Sequence, residues 1–123
     1  MKTILVADDD PVGRELIREI LESQGYHVME AGDGAVALSS IQAAQPDLVL
    51  LDIQMPVLDG FGVIQALRRE RQFQSLPVFA LTAFAMRGDK ENALAAGFDG
   101  YIAKPINVSA FRELIRQALS RAG

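Results

Sequence analysis

Leu48-Val49-Leu50-Leu51 is apolar at four successive positions and is followed at once by Asp52. A strand with one wet face alternates apolar and polar residues, so a continuous run belongs to a strand buried on both faces, at the centre of a parallel sheet. Such a sheet needs helices on both sides, and the rest of the chain supplies them in alternation. Thr3-Ile4-Leu5-Val6-Ala7 is a first buried-strand run. Asp10 then caps a helix with Pro11 at its first position, where the missing N–H is not needed. Val12, Leu16 and Ile20, flanked by Ile17 and Leu21, predict the apolar face of that helix, and Gly25 supplies its left-handed terminus.

The alternation continues to the end. Residues 27–31 predict a second strand and residues 34–44 a second helix. Asp59 caps a third helix predicted over 60–70, and Pro77 precedes a fourth strand over 78–81. A fourth helix is predicted over 87–96, stopped by Gly97, then a fifth strand over 100–103. The fifth helix is predicted over 108–120 with Asn107 as its cap. Five β/α units predict an α/β fold, a parallel sheet with helices on both faces, in one domain spanning 1–123. Ligands of such sheets bind beyond the carboxyl ends of the strands, where the strand order switches. Asp8-Asp9, Asp52, Thr82 and Lys104-Pro105 all fall at that edge.

Composition bounds what such a domain can do. With 123 residues and half of them hydrophobic, the chain can build a normal core. A formal net charge of −4 argues against nucleic-acid binding. The densest basic group, Arg68, Arg69 and Arg71, lies among Glu70 and glutamines and reads as a solvated face. There is no cysteine, which excludes disulfides and thiolate metal sites. The apolar run 4–7 is too short for a signal peptide or a membrane span, so a cytoplasmic protein is expected. His27, the only histidine, starts the second strand away from the predicted pocket and reads as structural or solvent-facing.

Four stretches carry a specific resemblance: Ile4-Leu5-Val6-Ala7-Asp8-Asp9, Leu50-Leu51-Asp52-Ile53-Gln54-Met55-Pro56 with Asp59-Gly60, Leu81-Thr82-Ala83, and Gly100-Tyr101-Ile102-Ala103-Lys104-Pro105. Together, in this order and across nearly the whole chain, they resemble the response-regulator receiver domains of two-component signalling. The resemblance implies a flavodoxin-like sheet of order 2-1-3-4-5. It implies that Asp52 is the phosphoacceptor, attacking a phosphohistidine to form an acyl phosphate. Mg2+ would be held by Asp9, Asp52 and the backbone carbonyl of Gln54, with Asp8 acting through water. Lys104, next to a cis Pro105, would neutralise phosphoryl oxygens, and Thr82 would donate its hydroxyl. Tyr101 would turn inward with Thr82 and report the state of the pocket on the surface of the fourth helix, fifth strand and fifth helix. Phe84 and Gln54 flank the site; a bulky Phe84 would shield the acyl phosphate from water. Asp10 is a helix cap, Met55 and Met86 are loop packing residues, and Pro56 and Gly60 shape the loop after Asp52.

The expected function is a phosphorylation-dependent binding module that catalyses its own phosphorylation and slow dephosphorylation but is not a turnover enzyme. Its expected partners are a histidine kinase or histidine phosphotransfer protein and an effector that the sequence does not name. No nucleic acid or membrane is expected, and the expected state is a monomer, with dimerisation tied to phosphorylation. Residues 84–86 with Gly88-Asp89 are similar to single-domain receivers of the DivK kind, and no output domain is expected. The alternatives are a receiver cut from a hybrid kinase or longer regulator, and a phosphorylation-independent scaffold. A haloacid-dehalogenase phosphatase would need an acid two residues after Asp52, where Gln54 stands, and a flavin carrier would not place Asp8-Asp9-Asp10 in its phosphate loop.

Overall fold

The computed structural model describes residues 1–83 and 87–122. Its elements in chain order are β1 (Thr3–Ala7), α1 (Pro11–Ser23), β2 (His27–Ala31), α2 (Gly34–Ala44), β3 (Leu48–Asp52) and α3 (Gly60–Arg69). A single 3-10 turn (Arg71–Phe73) leads to β4 (Val78–Thr82), α4 (Asp89–Ala96), β5 (Gly100–Ala103) and α5 (Val108–Ala122). All strand pairs are parallel, in the order β2-β1-β3-β4-β5. The chain leaves β1 for one edge and returns through β3 to build the other half. The switch point therefore lies between β1 and β3.

The continuous apolar runs are explained by two separate cores. Leu5, Ala7, Val49, Leu51 and Ala80 point to the face covered by Ile41, Val63, Ile64, Leu67 and Ala93 of α2, α3 and α4. Their neighbours Ile4, Val6, Leu48, Leu50 and Leu81 point to the opposite face, covered by Ile17, Ile20, Leu21, Phe111 and Ile115 of α1 and α5. Four of the helix starts have a side-chain cause. Asp10, Asp33, Asp59 and Asn107 accept hydrogen bonds from the backbone N–H groups of Val12, Val36, Gly62 and Ala110, respectively. Gly25, with φ of 89°, ends α1 as expected.

Four local expectations are corrected. Val12 and Leu16 do not join the core; they are 76% and 55% exposed. The row Val12, Leu16, Ile20 slants around the helix by about 40° per step, so only its last member reaches the sheet. The face centred on Ile17 and Leu21 is the buried one. The fourth helix begins at Asp89, not Arg87, because Gly88 in the left-handed region (φ 89°) precedes it. The third ends at Arg69, since Glu70 is already extended, with φ −92° and ψ 123°. The fifth runs past 120 to Ala122, as no breaker intervenes.

Arg68 is a fifth correction: it is not part of a solvated face. Its Nε donates to the Gly97 carbonyl at 3.0 Å and Nη1 to the Phe73 and Leu76 carbonyls at 2.6 and 2.9 Å. Nη2 adds bonds to the Gly97 carbonyl at 2.9 Å and to Asp99 at 3.0 Å. A guanidinium presents five donors in a fixed fork, which suits it to gathering several carbonyls at once. It ties the end of α3 to the end of α4. Arg69 and Arg71 are exposed as expected.

Gly34, the first residue of α2, packs on the loop after β3. A Cβ there would stand 1.7 Å from the Leu58 carbonyl oxygen, so backbone would have to move. At Gly25 a Cβ would meet no atom within 4 Å, and only the positive φ opposes a side chain. Gly34→Ala is therefore expected to cost roughly 3 kcal/mol and Gly25→Ala about 1 kcal/mol. Urea denaturation of both variants checks the ranking.

Candidate functional site

Two strand ends and two loops deliver the polar groups. β1 ends at Ala7 and leads directly into Asp8, which is fully buried, and Asp9, which is exposed. Asp52 is the last residue of β3 and is 7% exposed. Thr82 ends β4 and is buried, and Lys104 follows β5. The Lys104-Pro105 peptide bond is cis, as the resemblance implied.

Lys104 closes the site. Its Nζ donates to Asp8 Oδ2 at 2.5 Å and to Asp52 Oδ2 at 3.1 Å. Its backbone N–H donates to the Thr82 carbonyl at 2.8 Å, which fixes the loop to β4. The Asp8 carboxylate also accepts from the Asp10 N–H at 2.9 Å, and Asp52 accepts from the Gln54 N–H at 2.8 Å. Asp8, Asp9 and Asp52 offer carboxylate oxygens that lie within 4.8 Å of one another.

The charges do not balance within the cluster. Burial raises the pKa of Asp52 and is the largest influence on it; the Gln54 N–H and Lys104 oppose the rise, while Asp8 adds to it. Burial works against the charge of Lys104, but hydrogen bonds and attraction to Asp8 and Asp52 outweigh it, and the Lys104 pKa is raised. One ammonium faces three carboxylates. Hard oxygen donors with surplus negative charge, one donor open to solvent, fit a magnesium-type cation that keeps several waters. Asp9 and Asp52 would hold it, with Asp8 close by.

The surroundings serve these groups. The loop after Asp52 passes through Val57 at φ 71°, an uncommon conformation for a β-branched residue, and buries Met55. Gly60 lets α3 start against the strand end, since a Cβ would meet the Asp52 carbonyl oxygen at 2.7 Å. On the other side, the Tyr101 hydroxyl oxygen is buried. Burial raises the Tyr101 pKa, Asp89 adds to the rise, and the neighbouring Thr82 hydroxyl opposes it. Tyr101 packs against the core shared by α3 and α4.

The structure thus brings Asp8, Asp9, Asp52, Thr82 and Lys104 to one edge, with Tyr101 beside Thr82. Gln54 is exposed, and its backbone N–H donates to Asp52. His27 is exposed, at the far end of β2. Phe84 and Met86 lie outside the described residues. Sequence reasoning missed Arg14, whose Nη1 donates to the Asp8 carbonyl at 2.7 Å while Nε donates to Glu30 at 2.9 Å. The available signal was its place on the first helix just beyond the acidic run.

A five-stranded parallel sheet of this order, with helices on both faces, defines a flavodoxin-like receiver fold. The chain belongs to the response regulator receiver domain family, whose match covers residues 4–116. It is similar to the polar-differentiation response regulator DivK of Brucella ovis, with 36% identity over 98% of both chains. Among solved structures it resembles the Francisella response regulator 1452 receiver domain, with a TM-score of 0.92, 29% identity and 100% coverage of both chains. It also resembles the receiver domain of sensor histidine kinase PA1611 from Pseudomonas aeruginosa PAO1, solved with a magnesium ion coordinated in its active-site cleft. That match has a TM-score of 0.89 and 34% identity, covering 97% of this chain and 98% of the other. No helix among the described residues is long and apolar enough to cross a membrane.

A carboxyl with a raised folded-state pKa holds its proton more tightly folded than unfolded, so its ionisation weakens folding. The deficit is complete above the folded pKa and fades as the pH falls toward the ordinary aspartate value of 3.8. Asp52→Asn removes it and leaves Lys104 paired with Asp8. In metal-free buffer near neutral pH the variant is expected to be more stable than wild type by about 1 kcal/mol. Urea midpoints across an acid pH series should show that advantage shrinking.

Proposed function

We propose that this receiver domain accepts a phosphoryl group on Asp52 from a phosphohistidine of a histidine kinase or histidine phosphotransfer protein. The observation that carries the proposal is Lys104 Nζ lying between the buried Asp8 and Asp52 carboxylates, at the mouth of an acidic cluster with one solvent-open member. An Asp52 carboxylate oxygen attacks phosphorus, the P–N bond to imidazole breaks, and an acyl phosphate remains. A bound Mg2+ would offset the negative charge shared by attacking oxygen and phosphoryl group. Asp9, Asp52 and the Gln54 carbonyl are the proposed ligands, with Asp8 acting through water.

The residues of the chain then have distinct tasks. Lys104 exchanges part of its contact with Asp52 for the phosphoryl oxygens, keeping Asp8 as its anchor. Thr82 donates its hydroxyl to a phosphoryl oxygen. Movement of that hydroxyl changes the space and polarity next to the buried Tyr101 oxygen, and so shifts the population of the surface formed by α4, β5 and α5. Partner affinity changes with it. The domain is a switch with slow self-dephosphorylation rather than a turnover enzyme. The shielding role of Phe84 belongs to the same proposal. Both contexts expected from sequence have counterparts among the relatives: the DivK proteins and the receiver domain of a sensor histidine kinase.

Intact mass after incubation with acetyl phosphate tests the reading. One phosphoryl adduct is expected on wild type with magnesium, none without magnesium, and none on Asp52→Asn. An adduct that persists in Asp52→Asn would overturn the assignment.

A further inference from the structure

The acidic loop after β1 is braced from the neighbouring edge strand. Asp8 donates its N–H to the Ala31 carbonyl of β2 at 3.1 Å. Its own carbonyl accepts from Arg14 Nη1 at 2.7 Å, and Arg14 Nε is held at 2.9 Å by Glu30, also of β2. Both peptide groups flanking the Asp8 Cα are therefore tied to β2, one directly and one through the Arg14–Glu30 pair. The Asp8 side chain is fixed as well, by Lys104 and the Asp10 N–H. What remains adjustable is Asp9, whose exposed carboxylate leaves the chain from the Asp8–Asp9 peptide.

We infer that Arg14 is a positioning residue for the cation site: by holding the Asp8 carbonyl it sets the peptide plane from which Asp9 is presented. This role rests on the magnesium reading given under the proposed function. The Arg14 side chain is only 20% exposed, and its contact with the carbonyl is directional, unlike a loose surface pair. Its charge need not compete with a cation, because Glu30 faces it. Glu30 also accepts from Arg18 Nη1 at 2.7 Å, and Arg18 lies near Glu22. Hydrogen bonds from Arg18 and Arg14 lower the Glu30 pKa, so Glu30 stays ionised at neutral pH. The charges are thus shared along α1 and β2, while one N–H of Arg14 is left to direct the loop.

The network provides its own control. Arg14 and Arg18 both bind Glu30, but only Arg14 touches Asp8. Removing Arg14 leaves Glu30 paired with Arg18, so the fold is expected to survive. Groups that orient metal ligands typically contribute about 10- to 100-fold in metal affinity.

The test is isothermal titration of MgCl2 into wild type, Arg14→Ala, Arg14→Lys and Arg18→Ala, with urea midpoints measured in parallel. On the order of a tenfold rise in Kd is expected for Arg14→Ala, with Arg18→Ala unchanged at a comparable loss of stability. Arg14→Lys should recover part of the affinity, since an ammonium can reach the carbonyl or Glu30 but lacks the fork that spans both. If Arg14→Ala fails to fold, the lysine variant carries the comparison. Equal Kd for wild type and the Arg14 variants, or equal weakening in Arg18→Ala, overturns the positioning role while the magnesium reading stands. Absence of heat and of saturation in wild type overturns the magnesium reading itself, and the positioning role with it.

Discussion

The bridge from Lys104 to Asp8 and Asp52 is the interaction on which the rest of the site depends. It joins residues 96 and 52 positions apart in sequence, and it compensates two carboxylates that burial would otherwise disfavour. The fold makes that meeting possible. Parallel strands all point their carboxyl ends to one edge, so each strand end can contribute one group. The two cores hold the strands in register from both sides, and the switch point between β1 and β3 leaves room for the acidic cluster.

The bridge is incomplete by charge, and that incompleteness links stability to function. Asp52 is held with a raised pKa, poised between Lys104, which favours its ionised form, and burial with Asp8, which oppose it. A site tuned only for stability would have neutralised one carboxylate or buried none. A cation, and then the phosphoryl group proposed for Asp52, suit the charge of such a cluster. The consequences need not stay local, because Thr82 lies between the pocket and Tyr101, and Tyr101 packs toward α4. At its far end α4 is pinned by Arg68 through the Gly97 carbonyl.

Much of this is readable from sequence, for reasons that separate local from distant causes. Apolar runs without alternation announce strands buried on both faces. Asp10, Asp59 and Asn107 read as caps because a helix start is set by hydrogen bonds within a few residues. Asp8, Asp9, Asp52, Thr82 and Lys104 stand out because each follows or ends a strand. Val12 and Leu16 mislead because spacing along a helix gives a face but not its angle to the sheet. Arg68 looks solvated in sequence because its partners at Phe73, Leu76, Gly97 and Asp99 are backbone carbonyls and one side chain brought near by the fold. Arg14 and Glu30 escape notice for the same reason: their meeting depends on α1 lying beside β2.

Surplus negative charge at the strand ends suits the pocket to a cation, and everything proposed for Asp52 rests on that. The most direct measurement is the thermal midpoint of wild type and Asp9→Asn against MgCl2, with NaCl matching the ionic strength. A ligand that binds only the folded state must raise the midpoint with concentration. The expected result is a progressive rise for wild type in MgCl2 beyond that in NaCl, largely lost in Asp9→Asn. Identical curves in the two salts, or an undiminished rise in Asp9→Asn, would contradict a cation site built on these carboxylates.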